Sequence, residues 1–260
     1  MAKIIVLGAM KGGVGKSVST YNLAYSLKKL GKNVLMVDFD GSANITKCVV
    51  ENMKTVKISI GDLMLNQMDE EEQPNPAEYI INRNGVDFIP SSQMLSAVDA
   101  KLRLEMGAEK ILACILEPFR KEYDYILIDT CPSLNALTIN ALSVADELII
   151  AADTQFWAMT GLEDYLGTVK KIKNRINSRL EVSGILLTMC EERTNLCKVI
   201  TQEVEDQFNG KPRIFNSKIP RNIKVGESVY YGEPLLEYAP RTKACKMYQN
   251  LAKEVIADEK

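Results

Sequence analysis

Lys3 to Leu7 (KIIVL) is a short, almost wholly apolar run, and three residues beyond it stands Lys11-Gly12-Gly13-Val14-Gly15-Lys16-Ser17. Such a run reads as a strand buried on both faces of a parallel sheet, and the Gly-rich segment after it reads as a turn opening into a helix. Glycines let successive backbone N–H groups point inward without Cβ clashes, and a helix N-terminus adds partial positive charge, so strand, turn and helix together make a cradle for phosphate. In that cradle Lys16 is positioned for β/γ-phosphates and the Ser17 hydroxyl for Mg²⁺. Leu23, Leu27 and Leu30 recur at helical spacing and Gly31 stands at a C-cap position, which predicts a helix from about Lys16 to Leu30.

The general phosphate-loop pattern wants Gly at position 10, where this chain has Met10. The extra lysine, Lys11, matches the deviant form of the loop, K-G-G-x-x-K-[ST], and here the chain resembles the ParA/MinD class of P-loop ATPases.

Further apolar runs predict more buried strands: Asn33–Asp38, Tyr125–Asp129, Leu148–Ala152 and Val182–Thr188. Helical patterns lie between them, with helices predicted over Asn195–Phe208 and Thr242–Val255. Alternating apolar strands and helices imply an α/β, doubly wound, mostly parallel sheet with helices on both faces. Two strands end in carboxylates. Asp38 and Asp40 fall on the same side of an extended chain, at the strand end where α/β sheets bind ligands. Asp129 follows four apolar residues, the Walker B arrangement that holds the hydration shell of Mg²⁺.

The chain has 260 residues, 46% hydrophobic, with no internal repeat, so one domain spanning 1–260 is the simplest organisation. The acidic, Pro-containing stretch Gln67–Pro76 reads as a surface loop within it. Histidine is absent, which excludes Ser-His-Asp and Cys-His catalysis and His-ligated metals. Six cysteines are scattered without a C-x-x-C pair, as expected of free thiols in an intracellular chain. Neither a signal peptide nor an apolar run long enough to span a bilayer is recognised. Net charge is −2, but residues 161–260 carry 17 Lys/Arg against 14 Asp/Glu, so a local patch is available for a phosphate backbone.

The resemblance extends over essentially the whole chain, to ParA-type partition ATPases of the chromosomal Soj-like branch. It is carried by Asp38-Phe39-Asp40, Asp129-Thr130-Cys131-Pro132-Ser133-Leu134, Leu137–Leu142, Leu187-Thr188-Met189, Arg193-Thr194-Asn195-Leu196, Ile219-Pro220-Arg221-Asn222 and Leu251–Val255. It implies that ATP sits between two subunits and drives homodimerisation, with Lys11 of each reaching the other's phosphates, Lys16 and Ser17 acting in cis, and Asp40 orienting the attacking water. Lys11, Lys16 and Asp40 are then the catalytic set. The nucleotide site comprises Lys11, Gly12, Gly13, Val14, Gly15, Lys16, Ser17 and Val18, with Asp129 and Pro220, and the Mg²⁺ side comprises Ser17, Asp40 and Asp129. The resemblance further implies non-specific duplex DNA binding through Arg193 and Arg221 with Lys218 and Lys224, a ParB-like centromere-binding partner that stimulates hydrolysis, and a cytoplasmic, nucleoid-associated protein that does not bind membrane.

The chain departs from the family in the first switch, where Asp38-Phe39-Asp40-Gly41-Ser42-Ala43-Asn44 lacks the usual Pro and Gln, and in the second, where Thr130-Cys131-Pro132 replaces Cys-Pro-Pro. Three other readings stay open. A MinD-like membrane-cycling ATPase needs a C-terminal amphipathic helix, and this tail ends short and acidic. A cluster-carrying ATPase needs paired cysteines, and Cys131 has no suitably spaced partner. A nucleotide-dependent regulator of replication or transcription would bind without turnover.

Overall fold

A computed structural model describes residues 1–153, 158–191 and 211–258, with Val199, Gln202, Glu203 and Asp206 between. Arg193 and all of the predicted Asn195–Phe208 helix except those four residues lie outside the described residues.

The apolar runs become strands as their burial demands. They are β1 (Lys3–Gly8), β2 (Val34–Phe39), β5 (Tyr125–Thr130), β6 (Glu147–Asp153) and β7 (Glu181–Thr188), each within a residue or so of its predicted bounds. Two strands had no sequence prediction: β3 (Ile81–Arg83) and β4 (Val86–Ile89). The seven form one sheet in the order β3-β4-β2-β5-β1-β6-β7, parallel except for the β3–β4 hairpin. That hairpin closes through Asn84 and Gly85, at φ +49° and +78°. Two successive positive φ values are what a two-residue type I′ turn requires.

Consecutive residues of each strand face opposite layers. Ile4 and Val6 of β1, Leu35 and Val37 of β2, and Ile126 and Ile128 of β5 enter one core. Helices α3 (Ile60–Met68), α4 (Met94–Leu102), α5 (Ile111–Leu116), α6 (Ala136–Val144) and α7 (Ala158–Arg175) contribute to that layer. Ile5, Leu7, Met36 and Leu127 enter the other, with α1 (Lys16–Lys29), the short α2 (Asn44–Val49), α8 (Ile223–Tyr230), α9 (Leu235–Tyr238) and α10 (Lys243–Ala257). The helix predicted at Thr242 begins with that residue as its cap, its hydroxyl accepting from Cys245 N. The apolar face of α10 is spent on the core, since Tyr248, Leu251, Ala252 and Val255 are buried against the α1 layer. Among the described residues no helix is long and apolar enough to cross a membrane.

Close packing fixes the end of β1. A Cβ at Gly8 would sit 2.1 Å from the Tyr165 hydroxyl of α7, so only glycine lets that helix lie against the strand carrying the loop. Beyond β7, residues 213–221 run alongside the strand: Ile185 N donates to Arg213 O, Ile219 N to Leu187 O and Arg221 N to Cys190 O. This covers most of an edge that would otherwise expose unpaired backbone groups.

Candidate nucleotide site

The segment from Lys11 to Val18 wraps the floor of a cavity of about 640 Å³ at the C-terminal end of the sheet. Gly13 (φ +79°) and Gly15 (φ +74°) hold the left-handed conformations that turn the chain into α1, which side chains with a Cβ resist. Thr188 at the end of β7 ties the loop down, its hydroxyl donating to Val14 O at 2.7 Å. The first turn of α1 closes from Ser19 N to Gly15 O. Lys11 through Val18 and Asp40 therefore line one cavity.

The two lysines are held by neighbouring strands. In the sheet β1 is flanked by β5 and β6. Asp129 of β5 is fully buried, and its Oδ1 accepts from Lys16 Nζ at 2.7 Å and from Thr20 Oγ1 at 3.1 Å. Asp153, the last residue of β6, pairs with Lys11 Nζ at 3.0 Å. Lys16 is 6% exposed, whereas Lys11 is 37% exposed at the cavity mouth. Asp129 Oδ2 and Asp153 Oδ1 are buried with no hydrogen-bond partner among the described residues.

Asp38 and Asp40 divide the carboxylate work of the first switch. Asp38 lies in register with Asp129 on the adjacent strand and accepts from Thr46 N (2.9 Å) and Thr46 Oγ1 (2.7 Å). Burial, then the charge of Asp129, push its carboxyl up to about 7 against those hydrogen bonds. Asp38 is thus a buttress, and Asp40 is the carboxylate that reaches the cavity, where its Oδ1 accepts from Ser42 N at 2.9 Å. Asp40 also borders a second, polar hollow shared with Cys131 and Asn135 of the second switch. Between Ser42 and α2, Ala43 is held at φ +51°, a strained conformation for a residue with a Cβ.

Pro220 lines an adjoining apolar hollow of about 490 Å³ that shares Gly15, Val18 and Met189 with the phosphate cavity. Arg221 precedes α8 and Lys224 lies in its first turn, each beside an acid: Arg221 lies 3.6 Å from Glu191, and Lys224 lies 2.7 Å from Glu227. Lys218 is half-buried on the edge segment leading to them. Sequence reasoning missed Thr20, Thr188 and Asp153. Asp153 had a legible signal, because β6 ends an apolar run with an aspartate just as β5 does.

The donor set fits a magnesium nucleotide. Mg²⁺ keeps several waters and takes one or two carboxylates plus phosphate oxygens, so it needs no all-protein cage. Among the described residues there is no cluster of three or more acidic, Cys or His side chains that could form one. The unpartnered Asp129 Oδ2 and the cavity-facing Ser17 and Asp40 are the oxygen groups available.

A mostly parallel sheet with a phosphate loop after a strand flanked on both sides defines a P-loop NTPase fold. Residues 2–182 match a family described as AAA domain. The chain is 35% identical over 258 residues to the sporulation initiation inhibitor protein Soj of Bacillus subtilis, covering 99% of this chain and 100% of that one. It is 32% identical over 256 residues to the chromosome partitioning protein ParA of Myxococcus xanthus, covering 98% and 88%. Among solved structures it is similar to cobyrinic acid a,c-diamide synthase from Mycobacterium smegmatis with bound ADP and magnesium, with a TM-score of 0.84, 22% identity and coverage of 98% and 94%. The chain belongs to the ParA/MinD-like family of P-loop proteins, with Soj and ParA among its relatives.

Proposed function

We propose that the chain is a single-domain partition ATPase in which Mg²⁺-ATP drives formation of a sandwich homodimer that binds duplex DNA, and slow hydrolysis releases it. The observation that carries this reading is the separation of the two lysines. Lys16 belongs to the floor of its own cavity through Asp129, whereas Lys11 is drawn to the mouth and toward β6 by Asp153. A lysine at the mouth is suited to phosphates presented by a second subunit. Relatives named for chromosome partitioning, and the magnesium and ADP of the structural neighbour, support the choice of ligand and role.

In this reading the Lys11–Val18 backbone binds the phosphates, Lys16 neutralises the β/γ charge, and the apolar hollow beside Pro220 takes the base. Ser17 and Asp129 hold Mg²⁺, which supplies charge neutralisation at the phosphates. Asp40 orients the attacking water. Phosphoryl transfer asks mainly for such positioning and electrostatics, so the absence of histidine is no handicap. Arg193, Arg221, Lys218 and Lys224 contact DNA backbone, and a ParB-like centromere-binding protein accelerates hydrolysis. The protein works in the cytoplasm on the nucleoid.

Sedimentation of wild type and Lys11→Ala with and without Mg²⁺-ATP, each with nucleotide binding measured alongside, tests the carrying observation. Wild type is expected to dimerise only with ATP, and Lys11→Ala to bind ATP as a monomer. An ATP-dependent dimer of undiminished strength in Lys11→Ala overturns the trans role.

A further inference from the structure

At the end of β7 remote from the nucleotide, a groove of about 470 Å³ is walled by Lys170 and Lys173 of α7 on one side and by Lys211 and Arg213 on the other. From Tyr165 to Leu180 the chain holds five cations, Lys170, Lys171, Lys173, Arg175 and Arg179, and no acid. A helix C-terminus favours cations through its dipole, which accounts in part for those on α7. It does not account for Lys211 and Arg213, which arrive from a separate segment.

The acids facing the groove are few and already engaged at its rims. Glu181, 69% exposed, pairs with Lys173, and Asp258 pairs with Arg213. Exposed pairs of this kind are worth little and yield to a competing anion. Lys170 and Lys211 have no ion pair among the described residues. Arg213 is fixed in place: its Nε donates to Ser183 O at 3.1 Å and its guanidinium lies 4.8 Å from the Phe215 ring centroid.

The position of the groove gives it meaning. The edge segment runs from Arg213, bonded beside Ile185, to Arg221, bonded beside Cys190. At a strand's rise the five steps from Ile185 to Cys190 put these two attachment points roughly 17 Å apart. Duplex DNA carries one phosphate charge per ~1.7 Å of axis, so a molecule lying along this edge meets both cationic ends at once.

We propose that the Lys170–Lys173–Lys211–Arg213 groove is a second contact site for the phosphate backbone of duplex DNA, extending the nucleotide-end cluster along the β7 edge. It rests on the DNA-binding reading above. Each phosphate contact releases condensed counterions and adds about 0.9 to the slope of log affinity against log salt. The test is fluorescence anisotropy of a 30-bp duplex of arbitrary sequence with Mg²⁺-ATP, at several salt concentrations. Wild type is compared with Lys170→Gln/Lys173→Gln/Lys211→Gln, the same three positions changed to Arg, and Arg221→Ala. The Gln set is expected to lower the slope by about 2 to 3, the Arg set to keep it, and Arg221→Ala to lower it by about 1. A Gln set with the wild-type slope, or an Arg set that loses it equally, overturns the groove while leaving DNA binding intact. A wild type that binds no duplex at low salt overturns the groove and the partition reading together.

Discussion

Replacing Lys16 by methionine should destabilise the fold itself, before any nucleotide is considered. The substitution keeps most of the side-chain volume but removes the ammonium group 2.7 Å from Asp129 Oδ1. What remains is a carboxylate at 0% exposure, with the Thr20 hydroxyl as its one hydrogen bond among the described residues and the Asp38 carboxyl beside it in register. Breaking a buried pair by deleting one partner costs about 3–5 kcal/mol. Scaled by an unfolding entropy of ~2.1 cal/mol/K per residue over a chain of this length, that is a fall in Tm of about 6–9 °C. Calorimetry without nucleotide measures it. Lys16→Met/Asp129→Asn should recover most of the loss, since the neutral amide carries no stranded charge. A single variant melting within about 2 °C of wild type, or a double variant no better than the single, refutes the reasoning. If it holds, inactivity of a Lys16 variant reports folding as well as lost phosphate contact.

Arg120, 5% exposed, donates to Ala2 O, Val144 O and Asp146 Oδ2, so Arg120→Ala leaves all three acceptors short and should cost about 3 kcal/mol by urea denaturation. A Cβ at Gly232 would lie 2.4 Å from Cys48 O at a residue already at φ +66°, so Gly232→Ala should lose about 2 kcal/mol or more, where a neutral result would show that this turn shifts freely. Burial pushes the Cys48 thiol up to about 11, so at pH 8 only about one molecule in a thousand is thiolate there and iodoacetamide should label exposed Cys114 first, in a mass-spectrometric time course that reverses the order if the burial is wrong.

Where burial and local chemistry agreed, the chain was legible. KIIVL, NVLMVD, YILID and LIIAA are buried on both faces, and an apolar run is the unavoidable mark of that. The β3–β4 hairpin escaped because its strands are three and four residues long, no residue of β3 is deeply buried, and half-buried Asp87 interrupts the apolar run of β4. Its turn nevertheless carried the strongest short hairpin signal available, Asn84-Gly85. The phosphate loop was legible because glycines, lysines and hydroxyl stand together in sequence. Of its supports, Asp153 was marked by the apolar run it ends, but its pairing with Lys11, like that of Thr188 with Val14, was not legible, because both come from strands more than a hundred residues away and only the sheet order brings them to the loop.

Sheet order also makes the loop an ion exchanger. In the ligand-free arrangement β5 and β6 each supply one of its lysines with an internal counterion, Asp129 for Lys16 and Asp153 for Lys11. A ligand must displace these carboxylates to engage the lysines, so a nucleoside without phosphates has nothing to exchange and the site screens by charge before it screens by shape. The exchange also has a second half. If Lys16 turns to a phosphate as proposed, Asp129 keeps the Thr20 hydroxyl but loses its counterion at zero exposure, a deficit a cation would fill, so the arriving anion would create the demand for its own metal.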